Sequence, residues 1–135
     1  MDQGTLVESQ IDDAEKLIAR LAENGVVVAA ACWMKESDGG LWYLYLVTPL
    51  VTEEEGKRPA YMRINAVIRA MPHPLHIDPF QIKVVGLSSS VAQTIFDFQR
   101  RQAGRLPAWF QGASLGGVSI EAAYIYPPLV PAASE

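Results

Sequence analysis

Basic residues are in short supply in this chain. Lys and Arg number 11 against 15 Asp and Glu, the formal net charge is −4 and the pI is near 5.1. No global field therefore draws the chain to phosphate backbones or anionic lipid, and nucleic acid is not an expected partner. Cysteine is scarcer still. Cys32 stands alone, which excludes an intrachain disulfide and a cysteine-based zinc cluster within one chain. Long apolar runs are missing as well: none approaches the span of a bilayer, and Met1-Asp2-Gln3-Gly4 lacks the basic and apolar regions of a secretory signal. The expectation is a cytoplasmic protein without membrane contact.

What is present is ordinary globular material. Hydrophobic residues make up 50% and charged residues 19%, a balance well away from that of disordered chains. The 135 residues fit one domain, 1–135, which needs no staples to hold a core. Residues 1–8 and 127–135 are expected to be mobile ends.

Two β-rich apolar runs, Val26 to Met34 and Leu41 to Val47, flank Asp38-Gly39-Gly40. Glycine tolerates the positive φ that a tight reversal between twisted strands needs, so the pattern predicts a hairpin. The first run is apolar at nearly every position, as in a strand covered on both faces. The second alternates Trp42, Leu44 and Leu46 with Tyr43, Tyr45 and Val47, so each set lines its own face. Before the hairpin, Ala14, Leu17, Ile18 and Leu21 recur at helical spacing from Gln10 to Asn24, with Ser9 and Asp12 as a capping box and Gly25 as a stop.

After an acidic loop holding Glu53, Glu54 and Glu55, Pro59 opens a second helix. Its stripe is Tyr61, Ile64, Val67, Ile68 and Met71, and Pro72 ends it, with Arg58, Arg63 and Arg69 off the stripe. Gln81 to Leu87 reads as a strand. Ser90 with Gln93 is expected to cap a third helix whose stripe is Val91, Ile95 and Phe98. Arg105 to Gly117 reads as a glycine-rich loop, and Val118 to Tyr126 as a final strand. The fold class is α+β: about four strands in a mixed sheet with three helices, in the order α-β-β-α-β-α-β.

Several patterns hint at chemistry. Gly112-Ala113-Ser114-Leu115-Gly116 resembles the nucleophile elbow of α/β-hydrolases, which implies a serine exposed between a strand and a helix with acid and histidine later in the chain. Both histidines, His73 and His76, come earlier, and a strand follows the motif, so Ser114 is read as part of a loop. His73, His76 and Asp78 could offer two imidazoles and a carboxylate to a metal, but Pro74 and Pro79 hold that segment extended. Gln81-Ile82-Lys83 after Asp78 resembles a degenerate core of the PD-(D/E)xK nucleases, with Gln81 where that family needs an acid. Lys83 is read as an outward lysine on an edge strand. Neither a metal nor a cofactor is expected.

Cys32 lies in the most apolar strand and reads as a small buried hydrophobe. These readings lean away from an enzyme. The leading expectation is a non-catalytic protein acting through protein contacts, most simply a homodimer, with Tyr43 and Tyr45 on the interface. The alternative is a small-molecule binder or small enzyme with a pocket near the 105–117 loop, lined by Arg105, Trp109 and Phe110.

Overall fold

The computed structural model describes residues 8–36, 42–71, 77, 79–101, 108–110, 114–115 and 118–126. The expected α+β architecture is present, with three α-helices among the described residues and a mixed sheet in the expected order. Helix α1 (Glu8–Glu23) buries Ala14, Leu17, Ile18 and Leu21, the stripe that its spacing predicts. It starts two residues early, so Ser9 lies inside the helix rather than at its cap.

The end of α1 follows from glycine chemistry. Gly25 takes φ 81°, which places the Val26 N–H on the Leu21 carbonyl at 2.8 Å and the Gly25 N–H on the Ala22 carbonyl at 3.1 Å. This paired closure satisfies carbonyls that the helix leaves open, and the two side chains at its ends, Leu21 and Val26, are both buried. Because the stop uses Val26, the first strand, β1 (Ala30–Glu36), begins four residues later than the apolar run suggests. Val26 and Val28 still pack into the core on the way.

Strand β2 (Trp42–Val47) pairs antiparallel with β1, from Ala30 opposite Val47 to Lys35 opposite Trp42. The predicted Asp38-Gly39-Gly40 turn lies outside the described residues. Helix α2 (Arg58–Ala70) has Pro59 in its first turn and ends with Met71 at φ −72°, ψ 139°. That extended geometry is what a residue ahead of proline adopts. A 3-10 turn at Pro79–Gln81 leads into β3 (Ile82–Val85), which runs parallel to β2. The strand is shorter than predicted because the turn takes Gln81 at its start.

Helix α3 (Ser90–Arg101) follows. Its cap is Ser89 rather than Ser90: the Ser89 Oγ accepts from the Ala92 N–H at 3.0 Å, while the Gln93 side chain donates to the Leu87 carbonyl. Two short strands, β4 (Ala108–Phe110) and β5 (Ser114–Leu115), lie within the segment read as a loop, ahead of β6 (Val118–Ile125). Five strands stand side by side in the order β3-β2-β1-β6-β4, and β5 pairs with the start of β6.

Strand alternation sorts the core into two layers. One face carries Ala31, Trp33, Trp42, Leu44, Leu46, Val84, Tyr124 and Tyr126, packed with the stripes of α1 and α2. The other carries Ala30, Cys32, Met34, Tyr45, Val47, Val85 and Ile125, packed with Val91, Ala92 and Ile95 of α3. Burying one leucine of such a stripe is worth about 1.5–3 kcal/mol relative to leaving it exposed. The apolar period of each element thus decides which layer it joins.

Candidate contact surfaces

Two reactive side chains, Cys32 and Tyr126, are committed to packing. Cys32 is fully buried in the centre of the sheet, and burial pushes its thiol well above the ordinary range. Tyr126 closes a polar chain inside the core. Its hydroxyl accepts from the Trp33 Nε1–H at 3.0 Å and donates to the Ile11 carbonyl of α1 at 2.9 Å, while the Gln99 Nε2–H of α3 reaches the Tyr126 carbonyl at 3.0 Å. One residue after β6 therefore ties together β1, α1 and α3. Burial is the main cause that raises the Tyr126 phenol pKa, opposed in part by the Trp33 hydrogen bond. Tyr124 meets its ring edge-on at 5.2 Å.

The residues singled out in the sequence fall in several places. Arg105, His73, His76 and Asp78 lie outside the described residues. Trp109 and Phe110 belong to β4, where their backbone stands opposite Tyr124 and Ala123 of β6. Ser114 opens β5, which pairs antiparallel with β6, so strand follows strand where an elbow needs a helix. Among the described residues, no group of three His, Cys, Asp or Glu could hold a metal ion. Gln81 donates to the Trp42 carbonyl at 3.1 Å and serves the strand pairing.

Tyr43, Tyr45 and Lys83 come together on the α3 side of the sheet. Tyr45 stands opposite Lys83 in the parallel register, and the Lys83 ammonium lies 4.2 Å from the Tyr43 ring centroid and 5.7 Å from that of Tyr45. A cation over an aromatic face is attracted by the ring quadrupole. Tyr45 is only 5% exposed, whereas Tyr43 and Lys83 are half-buried. The accessible part of this face is therefore a narrow strip around Tyr43 and Lys83.

Among the described residues strand β3 is an edge of the sheet, yet its outer side is partly closed. The Val84 N–H donates to the Tyr61 hydroxyl of α2 at 3.2 Å, so a side chain occupies a donor that another strand would use. The β3 edge is poorly suited to strand addition.

The outer surface of the α1–α2 layer is different. Opposite its buried stripe α1 exposes Glu8, Asp12 and Glu15, and α2 exposes Arg58, Met62 and Arg69. Among the described residues none of these five charged side chains makes an ion pair. Arg63, also exposed on α2, instead donates to the Asn24 carbonyl at 2.9 Å, joining the two helices where α1 ends. Asp12 and Glu15 also act on the Tyr124 phenol, whose pKa is raised first by burial and then by these two charges. The sequence marked the arginines of α2 as off-stripe; the acids at 12 and 15 were legible by the same helical spacing, whereas Glu8 fell ahead of the expected helix start.

Compared with protein-family models, curated proteins and solved structures, the chain matches none.

Proposed function

We propose that the chain is a non-catalytic, cytoplasmic protein that acts through protein contacts and works as a homodimer. The observation that carries this reading is apolar side chain left outside an otherwise sealed core. Phe80 is 90% exposed and Met62 59% exposed, while Trp33, Leu44 and Ile125 are fully covered. Large side chains in water are normal singly, but a contact protein needs such anchors at its surface. Tyr43 and Lys83 add a half-covered aromatic and cationic strip. The free Cys32 thiol suits a reducing compartment, and no described helix is long and apolar enough to cross a membrane.

Native mass spectrometry tests the reading. A dimer without added mass is the expected species. A monomer carrying a reproducible small adduct would replace the contact reading with a ligand-binding one, and cell fractionation tests the location.

A further inference from the structure

We infer that the exposed surface of α1 and α2 is where a second copy of this chain docks, each α1 lying against the α2 of the other copy. The inference rests on the homodimer reading and assigns its interface. A two-fold contact must be self-complementary, because the same patch meets itself. A patch of one sign would repel its copy. This layer instead presents a net acidic surface on one helix, through Glu8, Asp12 and Glu15 with the exposed Lys16 drawn to Asp13 of its own helix at 4.0 Å, and base on its neighbour, through Arg58 and Arg69. Rotating the patch by a half turn places acid on base twice.

Packing among the described residues does not account for this arrangement. Both sets of charges are exposed, both lie off the buried stripe of their helix, and neither makes an ion pair among the described residues. Arg58 is the sharper case. It occupies the first turn of α2, where the helix dipole disfavours a cation, and that turn holds no acid to offset it. Glu15 sits in mid-helix, beyond the reach of the dipole at the start of α1. An acidic helix from a second copy would give Arg58 the partner that it lacks among the described residues. Met62 and Ala66 of α2 and Ala19 of α1, all exposed between the charges, leave room for close approach.

The size of the patch sets the strength. Helices of 16 and 13 residues present a face about 20 Å long and about 20 Å wide, so a two-fold contact covers roughly 400 Å² per copy. That is about half of what a stable complex buries on each partner, which marks a weak, reversible dimer dependent on charge. The β3 edge, closed by Tyr61, does not compete for the contact.

Sedimentation velocity on the full chain tests the inference. The wild-type dimer should weaken about tenfold or more between 50 and 500 mM NaCl, because salt screens exposed pairs. Arg58→Glu with Arg69→Glu should be monomeric, as should Asp12→Arg with Glu15→Arg, and circular dichroism should show both folded. An equimolar mixture of the two double variants should restore a dimer, since each then offers the charges that the other needs. A wild-type dimer indifferent to salt and to both reversals would overturn this interface while leaving the homodimer reading in place. A wild-type monomer at about 100 μM in low salt would overturn both.

Discussion

Tyr126→Phe removes one oxygen from the core and tests whether the polar chain through Trp33, Tyr126 and Ile11 holds the helical layer to the sheet. The phenyl ring still fills its site, so the cavity cost is small. The Trp33 Nε1–H, now 3.0 Å from the Tyr126 hydroxyl in a fully buried side chain, is left without that partner. An unsatisfied buried donor costs about 1–3 kcal/mol. The Ile11 carbonyl loses less, because a carbonyl within α1 also serves the helix ladder. The expected loss is about 2 kcal/mol. With an unfolding entropy near 2.1 cal/mol/K per residue, 135 residues give about 0.28 kcal/mol/K, so the melting temperature should fall about 7 °C. Urea unfolding and calorimetry on both proteins measure this directly. Trp33→Phe in the Tyr126→Phe background should cost about 1 kcal/mol less than in the wild type, since the donor then leaves with its acceptor. A loss below about 0.5 kcal/mol for Tyr126→Phe would refute the reasoning, since the hydroxyl would then contribute nothing to stability.

Other changes probe other parts of the fold. Gly25→Ala forces a side chain into φ 81° and should cost about 1 kcal/mol by urea unfolding, shortening the protection of α1 in hydrogen exchange. Tyr61→Phe frees the Val84 N–H on the β3 edge; it should cost only about 1 kcal/mol yet raise the rate of aggregation at 37 °C, read as turbidity. Alkaline stability follows from the buried Cys32 thiol and Tyr126 phenol, both raised above their ordinary values of 9.0 and 10.0. The folded chain keeps protons that the unfolded chain releases, so this stability is complete below about pH 9 and declines as pH rises past it, by about 1.4 kcal/mol per unit for each group. Cys32→Ala should move the onset of the decline from near pH 9 to near pH 10 in a series of unfolding curves.

Much of the fold was written in local pattern, and the exceptions have physical causes. The alternation in Trp42 to Val47 assigned each side chain to its face, because a strand's period of two leaves no other choice. The start of β1 was not legible, since Val26 and Val28 are apolar for core packing rather than for strand pairing. Of three successive serines the spacing to Gln93 pointed to Ser90, and backbone geometry selected its neighbour Ser89. Strands β4 and β5 are three and two residues long, too short to carry a period, and the glycines around them read as a loop.

The candidate surfaces were legible only in part. Tyr43 and Tyr45 were placed on the second face from alternation alone. That Tyr45 is sealed while Tyr43 stays half-covered depends on the tertiary position of α3 and Lys83. Lys83 was expected on an edge strand and stands on β3, though its ammonium lies over a ring rather than turning straight to solvent. The segregation of charge between α1 and α2 emerges only when the two helices share one layer, a long-range fact that no single helix records.

Self-association is the central claim, and sedimentation velocity of the wild-type chain in 50 mM NaCl from about 1 to 100 μM tests it most directly. The account predicts a sedimentation coefficient that rises from the monomer toward the dimer across that range, in line with a small, charge-dependent interface. A monomer value unchanged at every concentration would contradict it.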